Sequence, residues 1–154
     1  GGPLSSVIKV TQFDTHSNQG ADEFGKHGKL LKLVDEIIAG YREGLGDAWD
    51  NSIILTLTEF GRTVKENGTW GTEHGYGSAG LLAGGAITKS RVISKWPGLA
   101  ENEQFEKRDL MSTIDYRSVC AACIEKSLGL DHELIADKVF FTPELPRVYD
   151  YIFS

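Results

Sequence analysis

The apolar run at residues 52–58, SIILTLT, ends abruptly at an acidic residue, Glu59. Such a run is short and rich in β-branched residues, which is typical of a strand that is buried on both faces. A glycine-rich segment follows and carries His74 between Glu73 and Gly75. Because open α/β sheets bind ligands beyond the carboxyl ends of their strands, the end of this strand predicts a ligand site.

Two further apolar runs predict strands, at residues 7–13 (VIKVTQF) and within residues 79–87 (AGLLAGGAI). Between the first two strands, apolar residues recur at helical spacing over residues 29–43, and Gly44 and Gly46 are stop signals. A strand–helix–strand unit is expected to be right-handed with parallel strands. The sequence therefore predicts an α/β fold, a mostly parallel sheet flanked by helices.

The carboxyl-terminal part of the chain predicts one more helix and an extended tail. A capping pattern precedes the helix Tyr116–Leu128, and Gly129 closes it. The pair Cys120 and Cys123 lies inside this helical pattern, so we interpret both thiols as core residues rather than as a redox motif. Prolines and aromatic residues in the tail, residues 140–154, favour an extended segment that packs over the body.

The composition fits one α/β domain over residues 1–154 with a core of its own. About 40% of the residues are apolar, and the formal net charge of −6 comes without a basic cluster, which excludes a nucleic-acid surface. We see neither an apolar run long enough to span a membrane nor a signal peptide. The oligomeric state is left open.

Four side chains near the predicted strand ends form a plausible metal-binding set. Asp14 and His16 follow the first strand two positions apart, so both would face one side of an extended chain. Glu59 and His74 would meet them at the same edge, with Arg62 close by. Two imidazoles and two carboxylates suit a hydrolytic divalent ion such as Zn²⁺ or Mn²⁺. The alternative is a turn in which the side chain of Asp14 or Asn18 bonds its own backbone.

Four motifs resemble, in order, the carboxyl-terminal half of an uncharacterised bacterial family. They are FDTHSNQ, TEFGRT, GTEHGYGS and the series RDL, TIDYRSV and LGL, and together they span roughly residues 7–139. The family looks related to the alkaline phosphatase and sulfatase superfamily, and its members are often secreted by the twin-arginine route. The resemblance implies an alkaline-phosphatase-like partial domain and a periplasmic or exported protein.

The resemblance also implies roles for the candidate residues. Asp14, His16 and His74 correspond to ligands of one metal, and Arg62 would pair with an anionic oxygen of a small ester substrate. Glu59 stands where the superfamily usually has an Asp-His pair, but the next residue is Phe60. This departure leaves the second metal site short of a histidine.

The superfamily's nucleophile belongs to an amino-terminal segment, and this chain begins after the expected place. Thr15, Thr58 and Thr63 lie near the proposed site, but none has a base by motif, and a hydroxyl needs a base or a metal to attack. We therefore expect the 154 residues to be the carboxyl-terminal part of a larger domain.

Three functions remain open from the sequence. The first is a metal-dependent hydrolase of phosphate or sulfate esters, incomplete in this chain. The second is a metal- or ligand-binding module without catalysis. The third has no metal at all, because polar residues at strand ends also cap turns.

Overall fold

The computed structural model of the protein describes residues 4–154. Helical turns at Gly46–Asn51 and Glu101–Glu103 accompany the regular elements of these residues. Those elements are α1 (Lys26–Leu45), β1 (Ile54–Leu55), β2 (Gly61–Arg62), β3 (His74–Gly75), β4 (Leu82–Ala83), α2 (Tyr116–Leu128), α3 (His132–Lys138) and α4 (Tyr149–Phe153).

The described strands form two small antiparallel sheets. β1 pairs with β4 through Ile54 opposite Ala83, and β2 pairs with β3 through Arg62 opposite His74. The predicted α/β fold, a mostly parallel sheet of the alkaline-phosphatase-like type, is therefore wrong for residues 4–154. Of the run at residues 52–58, only the two residues of β1 pair, and their partner runs antiparallel.

The first predicted strand is absent from the described residues, because residues 7–13 pair with no other segment of them. The side chain of Val7 is 98% exposed and that of Ile8 is 54% exposed, so this run is not buried on either face. Gln12 adopts a positive φ of 77°, a conformation that does not occur in a regular strand. Without this strand in a sheet, the predicted strand–helix–strand unit cannot form.

The first predicted helix is confirmed, although none of its residues is buried. α1 covers the predicted residues 29–43 and extends beyond them at both ends, up to Gly46 with a φ of 50°. Its apolar residues Leu31 and Leu33 are 47% and 42% exposed. The residues of its predicted apolar face are half-buried, and none of them is fully covered: Leu30, Val34, Ile37, Ile38 and Tyr41.

The second predicted helix is confirmed at both ends. The carboxylate of Asp115 accepts a hydrogen bond from the backbone N–H of Arg117, and Gly129 ends α2 in the left-handed conformation with a φ of 65°. Cys120 and Cys123 are partly buried in α2, and burial raises the pKa of Cys123 to about 12. A thiol of that kind is a poor nucleophile, which agrees with a packing role.

The core lies where α2 packs against α3 and α4. It consists of Ala121, Ile135, Ala136 and Leu145, with Ile124 and Phe140 packed against it.

The tail was predicted as extended, but its last residues form α4, because Ile152 faces inward and is buried. Among residues 4–154, none of the helices combines the length and the apolar character that crossing a bilayer requires.

Candidate metal centre

Two loops that are distant in sequence lie side by side and carry the candidate residues. The backbone N–H of Asn18 donates to the carbonyl of Thr69 at 2.9 Å, and that of Gln19 donates to the carbonyl of Trp70 at 2.8 Å. The hydroxyl of Thr69 donates to the carbonyl of His16 at 2.8 Å. These bonds fix His16 against the glycine-rich loop.

Two glycines allow this close approach. A Cβ at Gly71 would lie 2.3 Å from the carbonyl carbon of His16, and a Cβ at Gly75 would lie 2.4 Å from that of Arg62. Real Cβ atoms essentially never come this close to backbone atoms. Gly71 is therefore needed to pack the two loops together, and Gly75 is needed for β3 to lie against β2.

The short sheet of β2 and β3 positions the other half of the centre. Arg62 lies opposite His74 in this ladder. Its guanidinium donates to the carbonyls of Phe13 at 2.9 Å and Thr72 at 3.0 Å, and to Asp14 Oδ1 at 2.6 Å. Arg62 thus connects the loop that precedes His16 with the strand that carries His74.

Three predicted ligands meet in one cluster. His74 Nε2 and His16 Nε2 each lie 2.9 Å from Asp14 Oδ1, and the two nitrogens are 3.1 Å apart. The three side chains remain 40–58% exposed, so solvent reaches the centre from outside. Phe60 packs on the His74 ring with 3.9 Å between ring centroids, which restrains that ring.

This cluster fits a divalent metal ion. Ligand atoms at about 2.0–2.2 Å from a shared ion lie roughly 3–3.5 Å apart, close to the spacing of the three atoms here. Two imidazole nitrogens and one carboxylate oxygen are also a donor set that transition metals accept. An ion held by these three side chains would keep at least one coordination position open, as in catalytic sites.

Not every predicted site residue belongs to the cluster. Glu59 is exposed in the bend after β1 and lies outside the group of potential ligands that the described residues form. Arg62 is present, but its donors bond to Asp14 and to two backbone carbonyls. The structure therefore brings together Asp14, His16 and His74, with Arg62 beside them.

Sequence reasoning missed two residues that support the cluster. Glu73 Oε2 accepts from His16 Nδ1 at 3.0 Å, and Asn67 Nδ2 donates to Glu73 Oε1 at 2.5 Å and to the carbonyl of His16 at 2.9 Å. Neither residue lies at a predicted strand end. The sequence feature that could have indicated this support is the position of Glu73 directly before His74 in the glycine-rich segment.

The carboxylates of the centre are stabilised in their charged forms. Hydrogen bonds from His74 and from Arg62 hold the pKa of Asp14 below its ordinary value. The hydrogen bond from Asn67, together with the nearby charge of His16, lowers the pKa of Glu73. Both groups are therefore ionised at neutral pH, the form in which a carboxylate binds a cation.

Comparison with known proteins gives a family but no named relative. No curated protein and no solved structure matches the chain. The profile of a family described as protein of unknown function (DUF1501) matches residues 5–136, which include every residue of the cluster. The chain belongs to this family of proteins of unknown function, DUF1501.

Proposed function

We propose that this chain binds one divalent metal ion, Zn²⁺ or Mn²⁺, through Asp14, His16 and His74. The observation that carries the proposal is the convergence of three donor atoms, all within 2.9–3.1 Å of one another, from two loops distant in sequence. Exposed acidic groups alone are common on protein surfaces. Two imidazole nitrogens directed at one carboxylate oxygen are a more specific arrangement.

The open side of the centre favours a hydrolytic role for the metal. A structural zinc site is normally closed by four protein ligands, whereas three ligands and solvent access leave room for a substrate. A divalent ion bound here would polarise an ester oxygen and lower the pKa of an attacking group. The substrate class that we propose is a phosphate or sulfate ester, whose anionic oxygens suit a cationic centre.

Arg62 contributes by holding Asp14 rather than by binding the substrate. Its three hydrogen bonds tie the carboxylate to the backbone of both loops. A charge-assisted bond of this kind is stronger than a neutral one and fixes the direction of the acceptor oxygen. In this arrangement the guanidinium sets the position of the metal ligand.

A second candidate, a metal-binding module without catalysis, is favoured by the threonines. Thr15 is buried and donates to Gln19 Oε1 at 2.9 Å, Thr58 donates to Ser78 Oγ at 2.7 Å, and Thr63 donates to the Lys65 carbonyl at 3.0 Å. Each hydroxyl thus has a partner away from the cluster. We therefore expect these 154 residues by themselves to bind metal without ester hydrolysis.

Calorimetric titration with Zn²⁺ and with Mn²⁺ tests metal binding. His74→Ala should lose more affinity than the roughly 10- to 100-fold that removal of an outer partner typically causes, because it removes a direct ligand. Glu59→Ala is the matched control, since Glu59 was predicted as a ligand but lies outside the cluster. Equal affinities for the wild type and for His74→Ala would refute the site.

Hydrolysis of an aryl phosphate and an aryl sulfate separates the two candidate functions. Binding without turnover in this chain, and turnover in a longer chain of the same protein, would support the hydrolase. Binding without turnover in both would support the module. Metal-dependent turnover by the 154 residues that His74→Ala abolishes would show that the chain holds its own nucleophile.

A further inference from the structure

Glu73 and Asn67 form a support behind His16, on the side of its ring that faces away from Asp14. Glu73 Oε2 lies 3.0 Å from His16 Nδ1, while His16 Nε2 lies 2.9 Å from Asp14 Oδ1. The two nitrogens of one imidazole thus have different partners. Which nitrogen carries the hydrogen decides whether His16 can act as a ligand.

The hydrogen belongs on Nδ1 when the imidazole is neutral. An ionised carboxylate only accepts hydrogen bonds, so the contact with Glu73 requires His16 Nδ1 to be the donor. Nε2 then carries only a lone pair, which is the form that binds a metal ion.

Asn67 fixes Glu73 in turn. Its Nδ2 donates both to Glu73 Oε1 and to the carbonyl of His16, so one amide group holds the carboxylate and the backbone of the histidine together. Its Oδ1 accepts from the backbone N–H groups of Thr69 and Gly71, both at 3.0 Å. The amide therefore has a partner on each side and a fixed orientation.

With His16 in the tautomer that Glu73 selects, the three polar atoms of the cluster have too few hydrogens to form a hydrogen bond at each of their contacts. Asp14 Oδ1 and His16 Nε2 are then both acceptors at 2.9 Å, and His74 Nε2 can donate its one hydrogen to only one of them. At least one contact between two lone pairs remains. A cation bound by all three atoms would remove this repulsion.

We propose that Glu73, held by Asn67, is a positioning residue that fixes His16 as its Nδ1–H tautomer and presents Nε2 to the metal. This inference rests on the proposed metal site and adds a role that is separate from the three ligands. In known metal centres, a carboxylate behind a ligating histidine raises the basicity of the ligand and orients its ring.

The test is the tautomer of His16 in the metal-free chain, measured from the ¹⁵N shifts and long-range proton couplings of its ring. Spectra are recorded at a pH above the ordinary pKa of histidine, so that the neutral form dominates. The wild type should show the Nδ1–H tautomer. Glu73→Ala should shift His16 toward the Nε2–H tautomer, and Glu73→Gln should lie between, because its amide oxygen still accepts a hydrogen bond.

Zinc affinity is the second readout. Glu73→Ala and Asn67→Ala should each weaken Zn²⁺ binding about 10- to 100-fold. Glu66→Ala, which removes an exposed glutamate from the same loop, should match the wild type in tautomer and affinity. Circular dichroism checks that each variant keeps its fold. The tautomer of the wild type tests the inference even if a variant does not fold.

The outcomes separate this inference from the proposed function. An Nε2–H tautomer in the wild type, or an unchanged tautomer and affinity in Glu73→Ala, would overturn the role of Glu73 while leaving metal binding intact. The predicted tautomers in a chain that binds neither Zn²⁺ nor Mn²⁺ would support the positioning of His16 and refute the metal site.

Discussion

At the scale of single residues, the candidate centre depends on Gly71, which has no side chain, as much as on its polar residues. Asp14 and His74 are sixty positions apart, and they meet because the loop of His16 lies directly on Gly71. Any larger residue there would push the two loops apart. The geometry of the ligands therefore depends on a glycine that binds nothing itself.

Gly71→Ala should weaken zinc binding about 10- to 100-fold, the range seen when the support of a metal ligand is lost. The added methyl carbon would lie 2.3 Å from backbone of His16, so that loop must move. Gly68→Ala is the control, because nothing lies within 4 Å of its Cβ position. Calorimetric titration of both variants makes the comparison, and equal affinities would contradict the packing argument.

Much of this centre could be predicted from residue types and order. The spacing of Asp14 and His16 and the glycine-rich setting of His74 pointed to one site, and the structure does bring these residues together. Glu59 was added because two parallel strands were expected to end at one edge, and that sheet is absent from residues 4–154. Glu73 was missed because its partner, His16 Nδ1, is defined only by tertiary contacts.

At the scale of elements, the two predicted helices are confirmed, whereas only two-residue parts of the second and third predicted strands pair, and they pair antiparallel. α2 begins at a capping aspartate and ends at a glycine in the left-handed conformation, so neighbouring residues determine both ends. A strand needs a partner from elsewhere in the chain, and the composition of a β-branched run does not determine which segment that partner is. Residues 7–13 have the composition of a strand and no place in the described sheets.

Asp115→Ala should lower the free energy of unfolding by about 1 kcal/mol, because it removes the side-chain cap of α2. Asp131→Ala is a matched control, since Asp131 precedes α3 without a side-chain capping bond. Its change should stay within about 0.5 kcal/mol. Urea denaturation compares the two variants, and equal losses would contradict the assignment of the cap.

The same carboxylate predicts a pH dependence. Hydrogen bonds and charge from Arg117 hold the pKa of Asp115 below its ordinary value of 3.8. Because the pKa is lower in the folded chain, the group stabilises the fold above pH 3.8, and this contribution is lost as the pH falls through the lowered value. Asp115→Asn keeps a capping side chain, so thermal unfolding against pH should lose this part of the acid dependence. An unchanged profile would contradict it.

At the scale of the whole molecule, the chain exposes more surface than a self-contained domain of its mass. Its accessible area is 10860 Å², against about 7,700 Å² expected for a folded monomer of this size. Large apolar side chains contribute to this surface, among them Leu31 and Leu33 of α1, in which no residue is buried. Within residues 4–154, the buried hydrophobic cluster lies far along the chain, where α2, α3 and Leu145 meet.

This distribution predicts unequal effects of truncating apolar side chains. Ile135→Ala should cost about 2–5 kcal/mol, because Ile135 is fully buried in the core. Leu31→Ala in α1 should cost less than about 1 kcal/mol, since its side chain is 47% exposed. Urea denaturation of both variants measures the difference. A large loss for Leu31→Ala would show that α1 is covered in solution.

The central claim is that one metal ion lies between Asp14, His16 and His74. Crystals of the chain grown with Zn²⁺, with data collected on both sides of the zinc absorption edge, test it most directly. We expect one strong anomalous peak about 2.0–2.2 Å from Asp14 Oδ1 and from Nε2 of both histidines. A peak at Glu59, or an Asp14–His16–His74 cluster that stays free of zinc, would contradict it.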